Sequence, residues 1–435
     1  MKPKKKQPEL PIDLDDPLQK RAENILKNMP TPQASYSINK WISGEETIVQ
    51  PQPLRKKKRH VTDRKQEIGR QRAQKYIEEI KAEGHYLKTD PNYKPRRHGE
   101  PKKYPKDNST FNKARTNTNC TALCNLLDQI FLHLPFRRQK RGLIGRKKTP
   151  LQERLKACIL HAFLKQDSRI TNGQFKDLKI GTLRKPYHFN TILSFQRNEE
   201  VLIWLRHIIL VTGTPLRHLE NVFCCDSTGL RQGKTGLWFS IKIKEDIRKK
   251  EWKKLHLLVG QHTGIVASCV LTKHKGKDTG DSSQVEPLLE QASKLYTIDQ
   301  FLADGAYSAR KVLKIVEKLD ALPIIPFDKG TKDNTSKKQS KYWQKLFIIS
   351  KYAPEIFMQN RMPRNRVEDY IHRYKSTFGE DLRCKSTEGQ LGEVYSRIIV
   401  QNLKILIFWA IKMGISLDSD AFNKCEGIDP LTKKG

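Results

Sequence analysis

The chain has 435 residues, of which 37% are hydrophobic and 30% are charged, which is enough for about two or three domains with a sizeable core. Its 83 Lys and Arg residues outnumber the 47 Asp and Glu residues, giving a formal net charge of +36. Such an excess attracts polyanions, so nucleic acid is the first expected partner. No run of about 18 apolar residues and no apolar N-terminal signal core occurs, so a membrane or secreted protein is not expected.

Short motifs argue against several kinds of site. The eight cysteines do not make a disulfide framework, and neither Cys120 with Cys124 nor Cys224 with Cys225 has a second pair at zinc-ligand spacing. Reduced thiols in a reducing compartment are therefore expected, which favours a cytoplasmic, nucleoid-associated protein. The segments GQHTG and GKDTG lack the Gly-Lys-Ser/Thr ending of a nucleotide-binding loop, so no nucleotide cofactor is expected.

Residues 1–115 are predicted to form a basic, largely disordered arm that follows a DNA phosphate backbone. The segment is rich in Lys, Arg and Pro, with the charge run RKKKRH at residues 55–60. It contains one convincing helical stretch, at residues 63–83. A solvated tail without a binding role is the alternative.

Residues 116–218 are predicted to form a helical DNA-binding domain. Three segments repeat apolar residues at helical spacing: CTALCNLLDQIFLHL, PLQERLKACILHAFLKQ and NEEVLIWLRHIILVTG. Pro150 and Asn198 are expected at helix starts. A helix-turn-helix within RITNGQFKDLKIGTLRKPYHFNTILSFQR is only weakly indicated, because no glycine-centred turn separates two clean amphipathic helices.

Residues 219–415 are predicted to form a mixed α/β domain, followed by a tail at residues 416–435. NVFCCDSTG is typical of a buried strand, and LHLLVGQHTGIVASCVLT predicts a hairpin with its turn at residues 261–264. Alternating helices and strands follow in VEPLLEQASKL, FLADGAY, ARKVLKIVEKLD and LPIIPF. This order is typical of a mixed sheet flanked by helices. The apolar segment EVYSRIIVQNLKILIFWAIKMG is predicted to be a buried structural helix.

Three acidic residues are candidates for one shared site. Asp226 and Asp304 each end an apolar run and are expected at strand tips, and Glu368 lies in the basic helical segment RNRVEDYIHRYK. A carboxylate at the tip of a hydrophobic strand is costly unless a cation neutralises it. Magnesium is a hard ion that prefers oxygen ligands, so a shared metal site is predicted.

The segment around Glu368 is amphipathic. At about 100° per residue, Arg364, His372 and Lys375 fall within about 40° of Glu368. An adjacent apolar stripe can pack on the sheet: Val367, Ile371, Tyr374 and Phe378. Glu368 is therefore expected at the edge of the core, facing a cleft. Taken alone, the same segment also fits an ordinary surface helix with paired charges.

The acidic blocks resemble those of the DDE transposases of bacterial insertion sequences, in the group with a Tyr-Arg-Glu-Lys signature. The likeness lies in these residues: Asp226 of CDSTG, Asp304 of LADGAYSARK, and Arg364, Glu368 and Lys375. It spans residues 191–403. The family's Tyr would lie three residues before Arg364, where this chain has Arg361. The short connection between LPIIPF and Arg361 implies that the large β insertion of some relatives is missing or reduced.

This resemblance implies a ribonuclease-H-like fold and a transposase that cleaves transposon ends and joins the freed 3′-hydroxyl to target DNA. Asp226, Asp304 and Glu368 would be the catalytic residues and the ligands of two Mg²⁺ or Mn²⁺ ions. The partner would be double-stranded DNA, bound by a homodimer or higher oligomer. Arg364 and Lys375 would contact DNA phosphates. Neighbouring cations are further candidates: Arg361, His372, Lys253, Lys254 and Arg383.

Other interpretations stay open. Asp281, in KDTGDSSQVEPLL, is predicted to cap a helix, with a fourth metal ligand as the minor alternative. His256 and His262 are predicted to be structural histidines. Two other functions compete with transposition: a metal-dependent nuclease that cuts without joining, and a non-catalytic DNA-binding protein derived from a transposase. The three intact acidic blocks argue against the second.

Overall fold

The structure is a computed structural model that describes residues 57–93, 108–136, 149–177, 188–232, 252–273, 276, 279–327, 330–331 and 340–425. The chain divides into two units, Met1–Thr62 and Asp63–Gly435. All contacts below lie within the second unit. Most of the predicted basic arm and the end of the predicted tail fall outside the described residues.

Seven described helices precede the sheet, and the helices predicted from periodicity are among them. They are α1 (Lys57–Ala82), α2 (Ser109–Asn117), α3 (Cys120–Leu132), α4 (Leu151–Leu164), α5 (Ser168–Asp177), α6 (Phe189–Arg197) and α7 (Glu199–Val211). Pro150 and Asn198 precede α4 and α7 as expected, and the Asn198 side chain accepts a hydrogen bond from the Val201 N–H. The weakly indicated helix-turn-helix would need residues 178–187, which lie outside the described residues.

A six-stranded mixed sheet forms the centre of the second half of the chain. Its strands are β1 (Val222–Gln232), β2 (Trp252–Gly260), β3 (Val266–Lys273), β4 (Gln300–Leu302), β5 (Leu322–Ile324) and β6 (Asp381–Leu382). The order is β3-β2-β1-β4-β5, with β6 paired to the far end of β1. The first three strands are antiparallel, whereas β4 and β5 run parallel to β1. The predicted hairpin is thereby confirmed.

Six helices accompany and follow the sheet strands. They are α8 (Asp281–Ala292), α9 (Arg310–Glu317), α10 (Trp343–Tyr352), α11 (Pro354–Arg361), α12 (Asn365–Phe378) and α13 (Thr387–Met413). Helices α10 and α11 were not predicted from apolar periodicity. They occupy the described part of the connection between β5 and α12, where no strand is found.

The two faces of the sheet belong to two hydrophobic cores, because successive strand side chains point to opposite sides. Phe223 and Cys225 pack with α8 and α9, whereas Cys224 packs with the core that includes α12 and α13. Asp226 lies two residues after Cys224 on β1, so the two side chains point to the same face of the sheet. The Asp226 side chain is thereby directed to the face that α12 covers, and α12 carries Glu368.

Helix α13 joins the preceding helices to the sheet. It packs against α2, α4, α6 and α7. By length and composition this helix could cross a membrane, but 78% of its most apolar window is buried within the fold. Asn402 donates to the Ile209 and Val266 carbonyls and accepts from the Val266 N–H at 3.0 Å. It is a core helix, as predicted, and the fold is a ribonuclease-H-like mixed sheet flanked by helices and preceded by helices.

Candidate active site

Asp226 lies in the middle of β1 and not at its tip. The strand continues to Gln232, because Ser227 to Arg231 pair with the antiparallel strand β2. The turn-forming character of Ser-Thr-Gly is overridden by this tertiary pairing, so the predicted strand-end position is wrong. The Asp226 side chain is 19% exposed, and its Oδ1 accepts the Ser227 N–H at 2.8 Å.

Asp304 follows the end of β4, as predicted. β4 is parallel to β1, with Leu302 opposite Cys224, so Asp304 and Asp226 each lie two residues beyond a paired position. The Asp304 side chain accepts the Ala306 N–H at 3.0 Å and so caps a short 3-10 turn, Gly305–Tyr307. This register places Asp304, just past the end of β4, next to Asp226 on β1.

Glu368 reaches the same place from the first turn of α12. Arg364 joins it to β1: one guanidinium nitrogen lies 3.3 Å from Asp226 Oδ2, and the other donates to Glu368 Oε1. Arg364 belongs to the 3-10 turn Met362–Arg364, which immediately precedes α12. The Glu368 side chain is 51% exposed, so the acidic trio (Asp226, Asp304 and Glu368) opens to solvent on this side.

The charges of the acidic trio act on one another. Burial raises the pKa of Asp226 above its ordinary value, and the charges of Asp304 and Glu368 raise it further. The Ser227 N–H and the Arg364 guanidinium act in the opposite direction. The structure thus brings the three predicted carboxylates into one electrostatic environment in which their negative charge is under-compensated.

The donor set fits a hard divalent cation. Among the described residues, no three His, Cys, Asp or Glu side chains stand close enough to hold a metal as they are placed. Arg364 lies between Asp226 and Glu368 and supplies the positive charge there. Three carboxylates, one of them destabilised by burial, are the oxygen ligands that magnesium or manganese prefers. A metal would replace Arg364 as the cation shared by Asp226 and Glu368.

The predicted DNA-contact residues are placed differently from one another. Arg361 ends α11 near the trio, since the charges of Asp304 and Glu368 act on its guanidinium. His372 is exposed on α12. Lys375 Nζ lies 3.1 Å from Glu380 Oε1, towards the far end of α12.

The two lysines of β2 that were candidate DNA contacts are less accessible to DNA. Lys253 is only 4% exposed, and Lys254 Nζ lies 2.7 Å from Asp281 Oδ2. Arg383 is exposed, but its guanidinium donates to the main-chain oxygens of Lys165 and Gln166. Of the cations considered from the sequence, Arg364 and Arg361 are therefore the two placed at the trio.

Asp281 belongs to a polar cluster that the sequence analysis missed. It is the first residue of α8, and Gly280 occupies the cap position, so the predicted capping role is wrong. His256 Nδ1 lies 3.3 Å from Asp281 Oδ1, and the His256 side chain is fully buried. Burial alone would raise the pKa of Asp281, but the nearby His256, the Lys254 ammonium and Ser227 lower it well below its ordinary value. Lys254 and His256 are two residues apart on β2 and therefore lie on the same face of the strand. This spacing is the sequence signal that could have revealed the cluster.

Comparison with known proteins agrees with this geometry. A sequence model of the transposase DDE domain family matches residues 217–403. No curated protein and no solved structure gives a significant match to the chain. The matched segment contains the sheet, all three members of the acidic trio and Arg364. Residues 217–403 therefore belong to the transposase DDE domain family.

Proposed function

We propose that the chain is a DNA transposase that cleaves transposon ends and joins the freed 3′-hydroxyl to target DNA by metal-dependent phosphoryl transfer. The observation that supports this most strongly is the convergence of Asp304 and Glu368 on Asp226, with Arg364 bridging Asp226 and Glu368. The match of this segment to the transposase DDE domain supports the same reaction class. The net charge of +36 suits a polyanionic substrate.

The trio would hold the metal, with Asp226 and Asp304 fixed by their main-chain hydrogen bonds and Glu368 free to adjust. Bound Mg²⁺ or Mn²⁺, as two ions, would activate the attacking oxygen and stabilise the leaving oxygen at phosphorus. Arg364 and Arg361 would orient the phosphate and balance its negative charge. With water as nucleophile a strand is nicked, and with a 3′-hydroxyl strands are joined.

The partners follow from this reaction. Double-stranded DNA, as transposon end and as target, is the substrate, and two ends are brought together by at least a homodimer. The reaction needs no nucleotide cofactor and takes place in the cytoplasm at the nucleoid. The N-terminal basic arm and the helices before the sheet would add sequence-independent contacts to the DNA backbone.

The first test is nicking of DNA that flanks the chain's own gene. Purified full-length protein is expected to nick it with Mg²⁺ or Mn²⁺ and not with EDTA. Asp226→Asn, Asp304→Asn and Glu368→Gln should each abolish nicking, while Glu290→Gln, an exposed carboxylate on α8, should not. Unchanged nicking in the three trio variants would refute the assignment.

The second test separates a transposase from a nuclease that does not join strands. A pre-cleaved end with a free 3′-hydroxyl is supplied together with a supercoiled plasmid. A transposase covalently joins the end to the plasmid, whereas a nuclease leaves the two unjoined. Nicking without any joined product would favour the nuclease, and absence of both activities with intact DNA binding would favour a non-catalytic protein.

A further inference from the structure

A second charged site lies away from the acidic trio. A cavity of about 240 Å³ is enclosed by α4, α6, the end of α12 and the segment from β6 into α13. Five cationic side chains and one carboxylate are among the described residues that line it: Lys165, Arg197, Arg383, Lys385, Arg397 and Glu393. The function proposed above makes no use of this cavity.

The Glu393 carboxylate does not neutralise the positive charge of the cavity, because other groups of the chain already donate hydrogen bonds to both of its oxygens. It accepts the Arg383 N–H at 2.9 and 3.1 Å and the Cys384 N–H at 3.0 Å. The Arg397 guanidinium donates to the same carboxylate through Nη2. Four donor contacts from three groups thus hold Glu393 in place as a structural counterion of Arg397 alone.

Arg397 keeps an unused donor at the buried end of the site. Its side chain is 5% exposed, and Nη1 has no hydrogen-bond partner among the described residues. Tyr374 lies beside it, but the Tyr374 hydroxyl makes no hydrogen bond of ordinary geometry either. Arg397 lines the cavity, so its positive charge acts on an anion there even though Nη1 itself is sealed from solvent.

The opening of the cavity adds uncompensated positive charge. Lys165, Arg197 and Lys385 are exposed, and none pairs with a carboxylate in the described part of the chain. The fourth exposed cation, Arg383, is held by the Lys165 and Gln166 carbonyl oxygens. His161, also in the wall, has its pKa lowered to about 4 by burial and so stays neutral at pH 7. The cavity combines a buried guanidinium with exposed cations at its opening.

We propose that this cavity binds a phosphate group of the DNA backbone at a point separate from the acidic trio. Guanidinium and ammonium groups around a small cavity suit a phosphate in geometry and charge. The identification of the phosphate as part of DNA rests on the proposed function, whereas the anion chemistry does not. Inorganic phosphate is the other source of the same chemistry, and the experiment separates the two.

The position of the cavity fits a duplex that also reaches the trio. From Asp226 to Arg231 the strand β1 covers about 17 Å at its usual rise per residue. Asp381 pairs with Arg231, and the cavity residues Arg383 and Lys385 follow directly. At about 3.4 Å per nucleotide along one strand, the cavity phosphate lies about five or more nucleotides from the scissile one.

The test compares two variants of the full chain that lose the same charge. Arg197→Ala/Lys385→Ala removes two exposed cations at the cavity, and Lys294→Ala/Lys318→Ala removes two exposed cations that follow α8 and α9, the helices on the other face of the sheet. DNA binding is measured by fluorescence anisotropy in EDTA over a range of salt concentrations. The cavity variant is expected to bind about tenfold more weakly and to lose about 1 from its salt slope, because one phosphate contact is lost. The control variant should change less than about twofold by the same reasoning.

Single uncharged methylphosphonates in the duplex then locate the contact. At one position, about five or more nucleotides from the nick, the substitution should weaken binding of the wild type but not of the cavity variant. The proposal is overturned if both variants weaken equally, or if no such position exists. It is also overturned if millimolar inorganic phosphate raises the melting temperature of the wild type only, while DNA affinity is equal in both variants. Because binding in EDTA needs no catalysis, failure of wild-type nicking would refute the proposed function without affecting this result.

Discussion

The acidic trio and the cavity around Arg397 compensate charge in opposite ways. At the cavity, Glu393 receives donors from Arg383, Cys384 and Arg397, so its charge is fully satisfied by the chain. At the trio, Asp226 and Glu368 share Arg364, Asp304 lies near them without an ion pair to it in the described residues, and burial raises the pKa of Asp226. The first arrangement stabilises the fold and leaves excess positive charge, whereas the second leaves excess negative charge.

The contrast indicates which charged groups would be stabilised by a bound ligand. A buried carboxylate whose lone pairs are all occupied has a structural role, because any added partner would displace a good hydrogen bond. A carboxylate whose charge is only partly balanced gains from an added cation. The same argument with reversed sign applies to Lys165, Arg197 and Lys385 at the cavity and an added anion. Substitutions at the two places should therefore affect different properties.

The largest expected effect is on catalysis at the trio. Glu368→Gln should lower the rate of metal-dependent nicking about 10³-fold or more, since metal coordination is worth several kcal/mol. Its free energy of unfolding should change by less than about 0.5 kcal/mol, because the side chain is half exposed. Urea denaturation and a nicking assay on the same preparation measure both. A loss of several kcal/mol in the free energy of unfolding would contradict the expected difference between the trio and the cavity.

The reverse pattern is expected at Glu393. Glu393→Gln should lower the free energy of unfolding by about 3–5 kcal/mol, since Arg397 is left as a buried charge without its partner. Urea denaturation measures this, and Glu290→Gln on the surface should stay within about 0.5 kcal/mol of wild type. Near-wild-type stability of Glu393→Gln would show that the pair is not structural.

A pH-dependent effect is expected at the cavity wall. The pKa of His161 is lowered from 6.5 to about 4 because burial disfavours its charged form. The neutral ring therefore contributes stability that is present above pH 6.5 and is lost as the pH falls towards 4. Relative to His161→Gln, the wild type should lose up to about 3 kcal/mol over this interval. His218→Gln, at an exposed site, should follow the wild type, and parallel curves for all three proteins would contradict the assignment.

The smallest expected effect is at Asp281. Asp281→Asn removes the charge that Lys254 and His256 contact beside β1. We expect nicking to fall about tenfold through misplacement of Ser227 and Asp226, which is the lower end for groups that position metal ligands. Mn²⁺ titration should show the weaker metal affinity directly. A loss as large as that of Glu368→Gln would instead make Asp281 a ligand.

Local periodicity predicted most of the fold. Helices α3, α4 and α7, the hairpin of β2 and β3, and the core helix α13 follow from apolar spacing alone, whereas α2 begins within the segment predicted to be largely disordered. Asp304 was placed correctly because a short apolar run ends in Ala-Asp-Gly. The length of β1 was not predictable, since its polar second half is held by pairing with β2. Strand β6 is only two residues long, and too short to give any pattern.

The three acidic residues that the structure brings together were named from the sequence, but their surroundings were not. Arg364 was assigned to DNA, whereas it bridges Asp226 and Glu368. The contacts of Asp281 join α8 to β2, and the cavity joins α4 and α6 to the segment after β6. Such sites arise from residues distant in the chain, and they depend on side-chain positions that periodicity does not determine.

The most direct test of the account is the position of bound manganese. Crystals of the full chain grown with Mn²⁺ should show anomalous peaks about 2.0–2.2 Å from oxygens of Asp226, Asp304 and Glu368, with the Arg364 guanidinium displaced from between them. Manganese bound elsewhere, with Arg364 still joining Asp226 to Glu368, would contradict the claim that these three carboxylates form a metal-dependent active site.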